Sequence, residues 1–186
     1  MKTKELVLCA MFIALITAGT FIKIPVGTYV YTLQFLATLL AGLILGPKLG
    51  AISVGAYTFM GLIGIPVFAE GGGPGYIAQP TFGYLIGFIL QAIVNGLLSR
   101  RLPNGVKWLL VANAAGMAIV YALGLSYFYI ISNYVIDAPI AIWAVIWYCG
   151  MLQVVPDFLL CVAAAIIGER CRKAGLWLNT SKKVGA

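Results

Sequence analysis

The stretch Gly71-Gly-Gly-Pro-Gly-Tyr-Ile-Ala-Gln-Pro-Thr-Phe-Gly-Tyr-Leu-Ile-Gly-Phe88 is a glycine-rich loop that runs into an apolar helix. Between Gly71 and Gly83 it holds five glycines, two prolines and no basic residue. A backbone of this composition cannot stay helical, and its unpaired amides cannot cross hydrocarbon unprotected. We therefore expect the loop to lie outside a bilayer or to line a cavity, folded over a small-molecule site.

The composition around this loop is that of an integral membrane protein. Of the 186 residues, 62% are hydrophobic and 9% are charged, and the mean hydropathy is +1.03, whereas soluble domains carry about 25% charged residues. The length allows about six spans of ~20 residues and leaves no room for a soluble catalytic or nucleotide-binding domain. The net charge of +7 does not indicate nucleic acid, because the basic residues lie in small clusters between apolar runs.

Interruptions of the apolar runs predict an all-α fold with six transmembrane helices in a single membrane domain, residues 1–186. Glycine and proline mark several ends, as at Gly46-Pro47 and Pro66. The run from Ile140 to Gly168 is too long for one ordinary span, so we expect it to break near Gly150 and Pro156. The predicted spans are residues 6–22, 32–45, 49–65, 81–98, 108–131 and 157–170, with a short interfacial helix at 140–149.

The basic residues predict the orientation of these spans. When successive connections are assigned alternately to two faces, eleven of the twelve lysines and arginines share one face, and Lys23 stands alone on the other. By the positive-inside rule the basic face is cytoplasmic, so both termini are expected inside and the glycine-rich loop outside. The expected location is a prokaryotic plasma membrane, crossed several times.

Asp157 is the strongest candidate for a functional residue. A carboxylate within an apolar segment costs about 2.5–3.5 kcal/mol on insertion scales, so such residues are usually paired or functional. One interpretation makes Asp157 the N-cap of the last helix. Another lets it accept hydrogen bonds from a ligand N–H group near the outer face, and the two are compatible.

Other polar and aromatic side chains are candidates for the rest of a site. The amides of Gln34 and Gln79 each offer a donor and an acceptor, which suits a urea or amide, although bonding between helices explains either one equally well. Aromatic side chains could wall an apolar pocket, and an interfacial belt explains several of them as well. They include Phe35, Phe68, Tyr84 and Trp143.

The residues disfavour catalysis, a metal site and a cofactor. Histidine is absent, and Cys9, Cys149, Cys161 and Cys171 lack CxxC spacing, so we expect buried, inert thiols and no enzyme. The glycine run is not a phosphate cradle, because no Lys-Ser/Thr pair follows it.

Three alanines of the first span, Ala10, Ala14 and Ala18, recur every four residues and therefore share one helix face. Small residues at this spacing allow another helix to approach closely. Packing within the chain and contact with a partner protein explain the pattern equally well.

Four separated motifs, taken in order, resemble one family. They are Thr32-Leu-Gln-Phe-Leu36, Leu40-Ala-Gly-Leu-Ile-Leu-Gly-Pro-Lys-Leu-Gly50, Gly64-Ile-Pro-Val-Phe-Ala69 and Pro80-Thr-Phe-Gly-Tyr-Leu-Ile-Gly-Phe88. Together they are similar to BioY, the biotin-specific substrate-binding (S) component of energy-coupling factor (ECF) transporters. The resemblance runs from the first span to the fourth and resumes at Pro156-Asp157.

The resemblance implies six helices, an outer site closed by two loops, and no ATPase within the chain. It implies that the alanine face contacts an ECF coupling transmembrane protein, with two ATPase subunits as the motor. Biotin would be the ligand, with Asp157 and Gln79 on its ureido ring. The alternative is a stand-alone secondary transporter of a small organic solute, which is disfavoured because such transporters usually place several ionisable groups at mid-membrane and this chain offers only Asp157 there.

The chain also departs from the family pattern. Gln79 and Phe82 stand where the family usually has glycine, and Leu160 occupies a position that is commonly lysine. The partner of the biotin carboxylate therefore stays open. The backbone amides of Gly71–Gly75 and the side chain of Lys23 are both candidates.

Overall fold

Six apolar segments form helices in the computed structural model, which describes residues 2–26 and 29–178. The prediction of an all-α protein with six helices is confirmed, with one small hairpin as an addition. Lys182 and Lys183, which were assigned to the basic face, lie outside the described residues. The helices are α1 Thr3–Phe21, α2 Gln34–Leu45, α3 Pro47–Leu62, α4 Phe82–Arg101, α5 Val106–Tyr134 and α6 Ile142–Lys173.

The helices differ in their ability to cross a membrane. Within the described chain, α1, α4, α5 and α6 are long and apolar enough to do so. Helix α3 has 16 residues and α2 is shorter still, so each falls below the ~20 residues of an ordinary span. Almost every side chain of α2 is buried, because this helix runs through the centre of the bundle.

A β-hairpin joins α1 to α2. Strand β1, Lys23–Val26, pairs antiparallel with β2, Tyr29–Thr32, and places Lys23 opposite Thr32. The β-branched and aromatic residues of this segment favour strands.

The glycine-rich loop joins α3 to α4 and is partly ordered by its own backbone. Residues Pro74–Ala78 form a short 3₁₀ helix, and Phe68 and Gly71 exchange two backbone hydrogen bonds. Gly71 and Gly73 have φ angles of 106° and 118°, a conformation that glycine adopts at little cost. The loop interrupts the α-helices as predicted, and it also contains a 3₁₀ helix that the composition did not predict.

The expected break in the last apolar run is absent, and α6 is continuous from Ile142 to Lys173. Pro156 lies inside the helix, so the predicted start at residue 157 and the separate helix at 140–149 are both wrong. A wider π-helical segment, Val145–Met151, precedes the proline. Such segments absorb a local distortion of the hydrogen-bond ladder without ending the helix.

Buried amides connect the helices at the middle of the bundle. The side-chain nitrogen of Asn95 on α4 donates to Leu39 O at 3.1 Å and to Asn113 Oδ1 at 3.3 Å. Asn113 on α5 in turn donates to Cys161 O on α6 at 3.0 Å. Because water is scarce at this depth, these bonds satisfy polar groups that hydrocarbon would leave unpaired.

The bundle has two unlike ends. The basic end is the one at which α2 meets α3, α4 meets α5, and α6 terminates; the loop end carries the hairpin, the glycine-rich loop and the α5–α6 connection. Every described lysine and arginine except Lys23 lies at the basic end.

Arg100 holds the basic end together. Its guanidinium donates to Gly96 O at 3.1 Å, to Leu43 O at 3.4 Å and to Leu178 O at 3.2 Å. These three carbonyls belong to α4, α2 and the segment that follows α6.

Trp177 packs against Arg100 at the basic end. Its ring lies between the guanidinium groups of Arg100 and Arg172, at 5.5 and 5.4 Å, and its Nε1 donates to Gly168 O at 3.0 Å. The next residue, Leu178, donates its backbone N–H to Ile44 O at 3.1 Å and thereby satisfies a carbonyl at the end of α2.

Candidate ligand-binding site

Asp157 is a buried carboxylate paired with a tyrosine. Its side chain is 8% exposed, and its Oδ2 accepts a hydrogen bond of 2.7 Å from the hydroxyl of Tyr121 on α5. Because Asp157 lies well inside α6, it is not the helix N-cap that the sequence suggested. A carboxylate has about four lone-pair sites, so one tyrosine leaves capacity for a ligand N–H group.

Tyr84 extends this cluster onto α4. Its ring fits against Gly124, where an added Cβ would lie 2.5 Å from a ring carbon, and its hydroxyl donates to Cys149 O at 3.3 Å. Tyr84, Tyr121 and Asp157 also interact electrostatically. Two hydroxyls and one carboxylate, from three helices, therefore form the first cluster, Tyr84–Tyr121–Asp157.

A second polar cluster surrounds Tyr57. Its hydroxyl lies 3.0 Å from Thr20 Oγ1, accepts a hydrogen bond from Gln34 Nε2 at 3.3 Å and donates to Val67 O at 2.9 Å. The four residues come from α1, α2, α3 and the start of the glycine-rich loop. This second cluster, Thr20–Gln34–Tyr57, therefore ties the loop to the bundle.

Aromatic rings cover the second cluster. Phe68 is almost fully buried, and its ring centroid lies 5.6 Å from that of Tyr57 and 4.5 Å from that of Tyr76. Gly61 allows this placement, since a Cβ there would lie 2.1 Å from the Phe68 ring. Burial raises the pKa of Tyr76 above its ordinary value.

A pair of phenylalanines connects the two clusters. Phe35 follows Gln34 in α2, and its ring centroid lies 5.9 Å from that of Phe88. Phe88 is one helical turn from Tyr84 and thus on the same face of α4. The residues Asp157, Tyr84, Phe88, Phe35 and Gln34 therefore mark a path from the first cluster to the second, in which the Phe35–Phe88 pair is a direct ring contact.

A family comparison bears on this arrangement. The model of the BioY family matches residues 1–176. The chain belongs to the BioY family. A probable biotin transporter BioY of Lysinibacillus sphaericus is 42% identical over 92% of this chain and 88% of its own length. The biotin transporter BioY of Thermotoga maritima is 37% identical over 91% of this chain and 96% of its own length.

A solved structure agrees with the BioY assignment. The crystal structure of the S-component for biotin from an ECF-type ABC transporter superimposes with a TM-score of 0.79 at 26% identity. The match covers 93% of this chain and 95% of that chain. The fold of this BioY-family chain is therefore the S-component fold.

The predicted ligand residues of this BioY-family chain are only partly brought together. Asp157 and Tyr84 share the first cluster, Gln34 belongs to the second, and Phe35 and Phe68 adjoin them. Gln79 is exposed on the loop, and the Trp143 side chain is 78% exposed. Their contact with a ligand stays a prediction.

Three polar residues of the clusters were missed as candidates for hydrogen bonding. The candidates for hydrogen bonding predicted from the sequence do not include Tyr121, Thr20 or Tyr57. Each is a hydroxyl within an apolar span, as in Val120-Tyr-Ala122. A hydroxyl at such a depth needs a partner, and that signal was available in the sequence.

The predicted partner face of α1 is open. Ala10, Ala14 and Ala18 are exposed and line a shallow apolar groove of about 590 Å³ beside Met60 and Val67. Packing within the described chain does not use these alanines. Their exposure favours contact with lipid or another protein.

A cavity of about 490 Å³ between α5 and α6 shares Tyr121 with the first cluster. Its lining includes Ser126, Ile130 and Ile146, whose side chains are exposed on the outside of the bundle. The cavity therefore faces lipid chains rather than the path between the two clusters.

Proposed function

We propose that this chain binds biotin at its loop end and serves as the substrate-specific S-component of an ATP-driven ECF transporter. The observation that carries the proposal is the buried Asp157–Tyr121 pair at one end of an aromatic path. The matched BioY relatives are transporters by name, and we assign no enzymatic activity to this chain.

The chemistry of biotin fits this path. Its ureido ring presents two N–H donors and a carbonyl in one plane, and the remaining rings and valeryl chain are apolar. Asp157 is proposed to accept from one ureido N–H, and the Tyr84 hydroxyl, whose single proton is donated to Cys149 O, is proposed to accept from the other. The apolar part lies along Phe88 and Phe35. A mostly apolar pocket with few directed polar groups is typical of small-ligand sites.

The loops complete the proposed site. Gln79, exposed on the glycine-rich loop, is proposed to close over the ureido ring, with Trp143 at the rim. Phe68 lies beneath the loop and links it to Tyr57 and Gln34.

Charge supports the proposed orientation. The basic end carries every described lysine and arginine but Lys23, so by the positive-inside rule it faces the cytoplasm of a prokaryotic cell. The termini are then cytoplasmic, and the loop end lies at the outer surface of the plasma membrane, where external biotin is available.

The binding test uses the purified full chain in detergent. Wild type is expected to bind biotin, and Asp157→Asn is expected to bind about 10- to 100-fold more weakly, because a charge-assisted hydrogen bond is worth about 1.5–3 kcal/mol. Asp137→Asn is the matched control, since Asp137 is exposed on the α5–α6 connection. Calorimetry measures both affinities. A folded wild type that binds no biotin would overturn the proposal.

The partner test uses the exposed alanines. Ala14→Leu is expected to reduce co-purification with an ECF coupling transmembrane protein and its two ATPase subunits, and to leave biotin binding unchanged. Ala118→Leu on the exposed face of α5 is the control. Uptake of labelled biotin by cells that contain this chain without any ATPase subunit would instead favour the stand-alone transporter.

A further inference from the structure

Biotin carries a carboxylate, and the first cluster cannot bind it. Asp157 is a buried carboxylate, and like charges about 4 Å apart repel by about 4 kcal/mol at an effective dielectric constant of 20. Leu160, one turn further along α6, is apolar and packs against the core. The ligand carboxylate must therefore point away from α6.

The path described above leads from Asp157 to the second cluster, and Lys23 lies beyond it. Lys23 follows the end of α1 three residues after Thr20, and its strand partner Thr32 lies two residues before Gln34. The Thr20–Gln34–Tyr57 cluster is thus flanked by the backbone that carries Lys23.

Lys23 is the one described cation at the loop end, and it forms no ion pair with the described carboxylates, including Glu70 next to Ala69. Its Nζ donates to Ala69 O, in the glycine-rich loop, at 3.2 Å. Among the described residues, no carboxylate lies within 4.0 Å of this ammonium. An ammonium has three donors, so the bond to Ala69 leaves two for a ligand.

From this placement we infer that Lys23 binds the ligand carboxylate and sets the preference of the site for an acid over its neutral amide. The inference rests on the proposed biotin function. With the urea at Asp157 and the carboxylate at Lys23, the ligand spans both clusters. Lys23 then holds the hairpin, the ligand and the glycine-rich loop together, because it already bonds Ala69.

The test compares biotin with biotin amide on the purified full chain. Wild type is expected to prefer biotin by about tenfold, between the few-fold effect of an exposed ion pair and the larger effect of a buried one. Lys23→Gln is expected to lose most of that preference by weakening biotin about tenfold while leaving the amide unchanged. Lys23→Arg is expected to keep it, and Lys48→Gln, exposed at the basic end, is the control.

Two results would overturn the role of Lys23. One is a Lys23→Gln variant that discriminates acid from amide as wild type does. The other is an equal loss of affinity for both ligands, which indicates that Lys23 only shapes the loops. Failure of the biotin function itself has a different signature, since neither ligand would then bind wild type.

Discussion

The basic end of the bundle is joined by side chains that reach several helices, whereas the outer part of the loop end is held by exposed bonds above the buried Thr20–Gln34–Tyr57 cluster. Arg100 alone contacts three carbonyls at the basic end, and Trp177 adds a fourth. At the loop end, Lys23 bonds Ala69 and Tyr127 bonds Ile77, each at an exposed position. We infer a rigid base at the basic end and a cover, Pro74–Ala78, that opens at lower cost, because the cover has no buried side chain and its bond from Tyr127 is exposed.

The largest effect is expected at Gly96, in the basic end. A Cβ there would lie 2.7 Å from Pro47 N and 2.8 Å from Gly42 O, and backbone atoms cannot move aside. Gly96→Ala is expected to lower the free energy of unfolding by about 2–3 kcal/mol. Gly75 has no atom within 4 Å of an added Cβ, so Gly75→Ala is the loop-end control. Equal stability of the two variants in denaturant titrations would contradict a rigid base.

Arg100→Gln should produce the next largest loss. The substitution removes the donors to Leu43 O and Leu178 O, and we expect a loss of about 2 kcal/mol. Arg101→Gln is the control, because the neighbouring Arg101 is exposed. Thermal unfolding followed by tryptophan fluorescence measures both. A Tm for Arg100→Gln equal to that of the control would show that the hydrogen bonds of Arg100 do not contribute to thermal stability.

Tyr121→Phe is expected to have a smaller effect, because one bond is lost. The Asp157 carboxylate loses its donor, and the unfolding free energy should fall by about 1.5 kcal/mol, the lower end for a bond to a charged group. Tyr134→Phe serves as control, since Tyr134 is 74% exposed. Denaturant unfolding without ligand separates this effect from binding. No difference between the variants would mean that the pair does not stabilise the empty protein.

The smallest effect is expected at Tyr127, whose hydroxyl donates to Ile77 O at 2.6 Å. Tyr127→Phe should change global stability by at most about 0.5 kcal/mol, because the bond is exposed. Hydrogen exchange of the Pro74–Ala78 amides should nevertheless accelerate, while exchange in α4 stays unchanged. Acceleration in both regions would mean that the cover and the base open together.

The sequence was sufficient for the features that depend on composition. Apolar runs and the prolines and glycines between them located six helices, and the distribution of lysine and arginine separated Lys23 from the other basic residues. Asp157 was recognisable because a carboxylate in an apolar run is costly.

The features that were missed depend on how the helices are rotated and packed. Tyr121 and Asp157 are 36 residues apart, and their contact depends on the rotation of α5 relative to α6. Pro156 predicted a helix end, but the π-helical segment before it accommodates the proline. Arg100 points into the bundle because it donates to carbonyls of α2 and of the segment after α6. The positions of these carbonyls cannot be inferred from the residue spacing along α4.

The unequal helix lengths have a consequence for the surrounding lipid. Helix α3, with 16 residues, is about 24 Å long, whereas α5 and α6, with 29 and 32 residues, are about 44 and 48 Å long. A hydrocarbon core of about 30 Å is thicker than α3 is long, and it is thinner than α5 and α6 are long. We predict that the helices of the bundle are tilted from the bilayer normal and that this tilt angle changes with the acyl-chain length of the lipid. Polarised infrared spectroscopy in short- and long-chain lipids measures that angle, and a constant value would contradict hydrophobic mismatch as its cause.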